Sequence, residues 1–447
     1  MRQHTRSYAT LIPLILGTSA SLFAWGHGPA YPSPSESEAV PKRQIQFPDT
    51  ADYQTLVLDL HTHSVFSDGH VWPTVRVSEA LRDGLDGLAI TEHLEFQPHL
   101  SDIPHPDRNR AYEEALRAAS GQPLKVIPGA EVTRTGEPGH INAVFVSDAN
   151  LLIRQATAKD TLPSAEFATR EEAFDFTVQQ SPLFHGAHSV EIDGKVIWRP
   201  YPDPETYKAI MNYGLAITRD PREVLEAANE QGAFVFWNHP GFEKLNSGLN
   251  PFHKSATRAG LLHGIEIAND DAYYPNAHRL ALKHNLALIG VSDVHELIEW
   301  DYRPEAEYNP GHRPVTLLLA EGDSFEAMRE ALFARRSIVW WKVLLFGRKT
   351  HLAQLLEASL SIESVTQTPW GVQVNFLNRS DAPLKLRETS GAQLTGQTGV
   401  IEIAPNGITP VTMNVGGKKK AAVKLKFDVL NALVAPGKPA KITLTGS

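Results

Sequence analysis

His61 and His63 stand one residue apart behind Asp59, and Ser67, Asp68 and Gly69 follow closely. In an extended chain residues two apart point the same way, so the pair can offer two imidazoles to one ion. Alone, such a pair in a chain with 19 histidines says little. It is followed, however, by Thr91-Glu92-His93, Gly129-Ala130-Glu131, Gly139-His140, Asn238-His239-Pro240 and Ser292-Asp293-Val294-His295. Each of these closes a short apolar run, except Gly139-His140, which opens one. Polar residues at the ends of apolar strands are costly unless a site uses them. The chain contains no cysteine, so any metal here must be held by imidazole, carboxylate and water.

The elements that would position these groups are legible as alternating patterns. Apolar runs over residues 56–60, 87–91, 125–130, 141–146, 233–237, 264–268 and 286–291 read as buried parallel strands. Helical patterns over 74–82, 111–119, 221–231 and 276–283 fall between them, with Pro73 and Pro221 suited to helix starts. Alternation of this kind implies an α/β barrel or a doubly wound sheet, and a barrel builds its site at the C-terminal rim. Residues 150–220 break the rhythm and are expected as an insertion, either a lid or an excursion packed on the flank. A helix over 325–335 and a strand over 337–341 end this region. From about 361 only short strands follow, at 372–377, 384–387, 400–403, 411–415, 422–427 and 440–445, which points to a small β-sandwich. The expected organisation is a barrel over 51–348 and a C-terminal β-domain over 358–447.

Composition narrows the function class. The chain has 447 residues, 42% hydrophobic and 21% charged, which describes a globular protein. Its net charge of −9 disfavours nucleic acid as the main partner, since that affinity rests on clustered Lys and Arg. At the N-terminus Arg2 and Arg6 precede an apolar run over 11–23 and small residues at Ala24 and Gly26, the order of a secretory signal over 1–26. The run contains Pro13, Gly17, Thr18 and Ser19 and falls short of the roughly 20 apolar residues a membrane helix needs. Residues 27–50, rich in Pro, Ser and Glu, read as a flexible tether. A periplasmic or secreted protein with no integral membrane segment after leader removal is expected.

From about 56 to 341 the order HxH, SDG, TEH, GAE, GH, NHP, SDxH resembles the polymerase and histidinol phosphatase (PHP) superfamily. The resemblance implies a distorted (β/α)7 barrel carrying two or three divalent ions on its rim. The exported form with a β-rich tail is similar to members that hydrolyse organophosphate diesters. Carried over residue by residue, it implies that His61, His63, Glu131 and Asp293 bind a first metal. Glu131 would bridge to a second, held also by His140 and His239, and a third would take Asp68, His93 and His295. His70 competes with Asp68 for that last position. Nine nitrogen and oxygen ligands suit Zn, Mn or Fe. The reaction implied is attack on a small phosphate ester by a hydroxide that bridges two cations, with Glu131 and Asp293 as its catalytic carboxylates. Arg134, three residues after Glu131, is a candidate phosphate clamp or else a surface arginine. Asp59, Glu92 and Asn238 adjoin ligands and could orient them. His99, His105, His185, His188 and His253 read mainly as surface residues, one of them a candidate proton donor to a leaving group, and Lys418 to Lys420 as a solvated turn. The competing functions are a phosphomonoesterase of the same fold and a non-catalytic metal-binding surface protein.

Overall fold

The structure is a computed structural model that describes residues 45–157, 165–180, 186–200, 204–241, 249–301, 313–394, 399–414 and 422–447. The secretory signal, most of the tether, His185 and Lys418 to Lys420 lie outside the described residues. In chain order the first elements are β1 (Gln54–Asp59), α1 (Pro73–Asp83), β2 (Gly87–Ile90), α2 (Arg110–Ala118), β3 (Lys125–Thr133) and β4 (His140–Val144). The insertion holds α3 (Arg170–Gln180), a hairpin of β5 (Ala187–Ile192) with β6 (Lys195–Pro200), and α4 (Pro204–Thr218). Then come α5 (Pro221–Glu230), β7 (Phe234–Trp237), α6 (Pro251–Arg258), β8 (Gly264–Asn269), β9 (Ala272–Tyr273), α7 (Pro275–His284), β10 (Ala287–Val291) and the single turn α8 (Ile298–Asp301).

The seven apolar runs form neighbouring strands in the order β10-β8-β7-β4-β3-β2-β1. Six run parallel, but β4 is antiparallel to both β3 and β7, which corrects the all-parallel expectation. Only residues 134–139 separate β3 from β4. A parallel crossover needs a dozen or more residues, so so short a link can only make a hairpin. The reversal also explains why Gly139-His140 opens its strand where the other motifs close theirs. The start of an antiparallel strand lies at the same rim as the ends of its parallel neighbours.

The two ends of this array meet. Asp293 N donates to His61 O at 3.0 Å and His63 N donates to Val294 O at 3.1 Å, joining the ends of β10 and β1 at the rim. Lower down the seam is filled by β11 (Val315–Ala320), a strand not anticipated from the sequence, which pairs antiparallel with β1. It meets β10 through a side chain: Thr316 Oγ1 accepts from Gly290 N at 3.1 Å and donates to Gly290 O at 2.9 Å. A Cβ on Gly290 would stand 2.3 Å from a methyl of Val339, so glycine there lets the next layer close over the seam.

That layer leads into the tail. After α9 (Phe325–Phe333), β12 (Ser337–Trp341) and β13 (Leu344–Gly347) continue the sheet as antiparallel strands. The remaining elements are α10 (Lys349–Ser359), β14 (Leu360–Thr368), β15 (Gly371–Asn378), β16 (Leu384–Glu388), β17 (Gln393–Leu394), β18 (Val400–Ile403), β19 (Gly407–Asn414), β20 (Val423–Ala435) and β21 (Lys438–Gly446). One tail sheet has the order β14-β15-β19-β17. The other, built on β20 with β16, β18 and β21, is continuous with the barrel sheet because β13 pairs parallel with β20. Alternation is plain in β15, where Val372, Val374 and Phe376 point inward and their neighbours outward. Those side chains share one apolar cluster with Phe427 and Val429 of the tail and with Val57, Val77, Leu88 and Val315 of the barrel. Residues 43–447 accordingly form one compact unit.

Within the insertion α4 packs on the barrel flank. Ala209 and Ile210 bury against Leu100, and Asn212 donates to Pro106 O. Among the described residues no helix is long and apolar enough to cross a membrane.

The shared core makes the tail part of the barrel's stability. Phe427 is fully buried, so Phe427→Ala should lower the unfolding free energy by about 3–5 kcal/mol. Denaturant unfolding followed by hydrogen exchange at barrel amides such as that of Trp237 should shift with it. An unchanged Trp237 midpoint would mean that the tail unfolds independently.

Candidate metal centre

Every strand that carries a site residue delivers it to one rim. His61 and His63 lie just beyond β1, His93 beyond β2, His239 beyond β7, and Asp293 and His295 beyond β10. Glu131 is inside β3 and His140 begins β4, directly across the ladder at Thr133. Asp68 comes from the loop between β1 and α1. Asp293 adopts φ 55°, a left-handed conformation that Asp tolerates better than most residues.

The inner pair shows what the site is for. His61 Nδ1 lies 2.8 Å from Glu266 Oε1 and donates to it, which leaves the lone pair on Nε2. That Nε2 faces His63 Nε2 at 3.0 Å, while His63 Nδ1 lies 3.1 Å from Ser67 Oγ. Two imidazole lone pairs cannot share a hydrogen bond, and both atoms are fully buried from water. Asp293 Oδ1 closes the group at 3.1 and 3.2 Å from the two nitrogens. A cation satisfies both lone pairs and the carboxylate at once, whereas without one a proton is drawn onto His61. The residues therefore fit a divalent metal.

Glu131, with no exposed surface, links this group to its neighbours. Its Oε1 lies 3.0 Å from His140 Nδ1 and 3.6 Å from both His61 Nε2 and His239 Nε2, and accepts from Asn238 Nδ2 at 2.7 Å. Its Oε2 lies 2.5 Å from His93 Nδ1 and 3.5 Å from His63 Nε2. On the far side Asp68 Oδ1 is 3.1 Å from His295 Nε2, 3.3 Å from His93 Nε2 and 3.8 Å from His63 Nδ1. Three groups of donors are close enough to share an ion: His61, His63 and Asp293; His93, Glu131 and His140; and His63, Asp68, His93 and His295. All nine residues implied by the resemblance fall in this patch. His93 faces two of the groups, one with each ring nitrogen, and His239 reaches Glu131 and, at 3.8 Å, Asp293. His70 turns away to Glu296 with 58% of its side chain exposed, so the third group uses Asp68.

Other expectations change. Arg134 is not a phosphate clamp: its guanidinium pairs with Glu95 and donates to Ala216 O at 2.9 Å and Arg219 O at 3.0 Å, holding the end of α4. The physical reason is that β3 ends at Thr133, so Arg134 starts the link to β4 and its side chain runs to Glu95 and the end of α4 instead of to the rim. His105 and His253 are buried rather than superficial, and the His253 ring stacks on Trp237 at 3.7 Å. Asp59 acts through Ser292, whose Oγ donates to it at 2.5 Å, and Glu92 accepts from Ser64 and Ser67.

The sequence reading missed the buried groups that hold the ligands in place. Glu266 accepts from His61 Nδ1, from His239 N at 2.6 Å and from Asn269 Nδ2 at 2.8 Å, so one carboxylate orients ligands from two strands. A lone acid inside the apolar run of β8 was its signal. Arg76, 1% exposed, donates to His63 O at 2.8 Å and Val294 O at 3.2 Å and ties the two ligand segments together. Glu79 balances its charge at 2.8 Å.

Charge balance in the patch is unusual. Burial disfavours charge on His93 and His239, but Glu131 with Asp68 pushes the first up to about 10, and Glu131 with Asp293 pushes the second up to about 9. His61 likewise overcomes its burial through Asp293, Glu131 and Glu266 and titrates well above its ordinary value. His63 is driven down to about 3, by burial first and then by His295 and His93. Burial works against the charge on Glu131, Asp293 and Asp68 too, yet the surrounding imidazoles hold all three well below the usual carboxylate range.

A PHP domain model matches residues 59–286 and an Ig-like domain model matches residues 360–445. A solved structure from Bacteroides vulgatus, described as a two-domain protein containing a predicted PHP-like metal-dependent phosphoesterase, is 33% identical; it covers 91% of this chain and 99% of its own, with a TM-score of 0.70. The chain belongs to the PHP family. It is a mixed α/β PHP domain followed by an Ig-like β-domain, and its buried His, Asp and Glu clusters are those of a metal-dependent phosphoesterase. More distant likenesses are weaker. An amidohydrolase from Chromobacterium violaceum with bound sulfate is 19% identical over 57% of this chain and 90% of its own, TM-score 0.33. A lesion-specific endonuclease from Pyrococcus furiosus is 15% identical over 70% and 62%, TM-score 0.34. No curated protein matches the chain.

A PHP site with raised histidines must lose protons to take up metal. With His93 near 10 and His239 near 9, both rings carry protons at pH 7 that a cation displaces. Calorimetry in buffers of different ionisation enthalpy should show more than one proton released per chain at pH 7, and affinity rising with pH up to about 9. Zero release and pH-independent affinity would contradict this charge balance.

Proposed function

We propose that this PHP protein is an exported phosphodiesterase that hydrolyses small organophosphate diesters. The observation that carries the reading is the pocket over the ligands. It encloses about 370 Å3 and is lined by Asp68, His93, His140, His239, Asn269, Asp270, Ala272, Tyr274, Asp293 and His295, with no lysine or arginine among them. A monoester dianion needs more positive charge around it than a diester monoanion does. With Arg134 spent on α4, the described residues offer the phosphate no fixed cation beyond what the metal ligands hold. Wall and rim residues would therefore favour a singly charged phosphate with two organic arms.

Divalent Zn, Mn or Fe held by the nine ligands would supply Lewis-acid polarisation of the phosphoryl group and a water acidified towards neutral pH. The chain's own residues do the holding. Glu266 and Asn238 orient His61, His239 and Glu131, and Asn269 donates to Asp293 Oδ2 at 3.1 Å. Arg76 keeps the His63 and Val294 segments together. Such orientation determines where a phosphoryl oxygen can lie relative to the ligands, and it costs nothing at the moment of reaction. The N-terminal signature supports export to the periplasm or beyond.

Purified, metal-loaded protein should cleave bis(p-nitrophenyl) phosphate faster than p-nitrophenyl phosphate. His61→Ala should remove at least ~100-fold of that rate, because ligand and orienting losses both act on it. Faster turnover of the monoester would make the protein a phosphomonoesterase. Turnover of neither ester by folded, metal-loaded protein would favour the binding-protein reading.

A further inference from the structure

One wall of the pocket is not accounted for by metal binding. It is made by the end of β8 and the turn into α7, through Asn269, Asp270, Ala272 and Tyr274. Tyr274 is anchored by its backbone, which donates to Ile267 O at 2.8 Å. Its ring lies against Gly241, two residues beyond His239, where an added Cβ would stand 2.3 Å from Tyr274 Cε1. The segment that carries a metal ligand is thus kept bare of side chain just where this ring passes.

The ring is half-buried, yet its hydroxyl forms no hydrogen bond among the described residues. Its oxygen is not sealed from solvent, and the residue lines the pocket that the phosphate ester would enter. The other pocket groups with protons to give are imidazoles already committed as ligands. Burial, together with Glu266, Asp293 and Asp270, raises the phenol well above its ordinary value, so it is a neutral donor across the physiological range.

We infer that Tyr274 gives its proton to the departing alkoxide, and that the site is thereby built for unactivated alkyl phosphodiesters. The inference rests on the phosphodiesterase reading. In the step, a water oxygen bonds to phosphorus as the bond from phosphorus to the leaving oxygen breaks. The electron pair departs with that oxygen, which takes the phenol proton, and the phenolate recovers the proton released by the attacking water. One water is consumed, and one phosphomonoester and one alcohol are formed. An alkoxide is more basic than a phenolate, so it takes the proton. A nitrophenolate is far less basic and has little use for it.

The test compares diethyl phosphate with ethyl p-nitrophenyl phosphate on the full-length, metal-loaded protein. Tyr274→Phe should lose about 100-fold in kcat/KM on the first and less than about 5-fold on the second, the loss expected when a general acid is removed from a poor leaving group. Metal content by elemental analysis should match wild type. Gly241→Ala, which displaces the ring, should reproduce the same asymmetry with metal retained. Equal losses on both esters, or no loss on either, with wild type active on both, would overturn the role of Tyr274 alone. Wild-type protein that cleaves neither ester overturns the phosphodiesterase reading and this inference with it.

Discussion

A carboxylate with no exposure to water, Glu131, is surrounded at 2.5–3.6 Å by nitrogen atoms from five histidines. Burying that charge is tolerable only because opposite charge is drawn in around it, either as protons on imidazole or as metal ions. The rest of the barrel can be read as the means of keeping those imidazoles in place. Glu266 sets the tautomer of His61, Asn238 fixes one oxygen of Glu131, and Arg76 clips the two segments that carry His63 and Asp293. Ligands are rigid here because their partners are buried and hydrogen-bonded, not because the rim is crowded.

That requirement explains two departures from a regular barrel. The reversed strand β4 brings His140 to the rim from its own first residue, where it faces Glu131 on the adjacent strand. The seam between β1 and β10 is closed at the rim by backbone bonds beside His61 and His63, and lower down by the hydroxyl of Thr316 on a strand that belongs to neither end. Because β11 leads through β12 and β13 to β20, the Ig-like tail is bonded to the same sheet that carries the site. Stability of the tail and geometry of the site are linked through that continuity.

Much of this was legible from the chain. The seven apolar runs and the polar motifs at their ends located the strands within a few residues, because a buried strand must be apolar and a rim ligand must interrupt it. The direction of β4 was written in the sequence as well, in a histidine that precedes its strand. Glu266 was hidden for the opposite reason: a single acid within an apolar run looks like noise until a partner on a distant strand is known. Arg134 misled because proximity in sequence to Glu131 says nothing of direction once the strand has ended at Thr133. The strands β11, β13 and β14 were missed although the helix after β11 was read; β11 takes its place only through β1 and β13 through β20, both far away in sequence.

Anomalous diffraction from crystals of the metal-loaded protein, collected at the absorption edge of the bound element, tests the central claim most directly. Peaks should lie between His61, His63 and Asp293 and on the other side of Glu131 towards His140 and His239, with His61 Nε2 and His63 Nε2 both directed at the first. An electron-density map with no anomalous peak there, and the two nitrogens still facing each other at 3.0 Å as they do here, would contradict it.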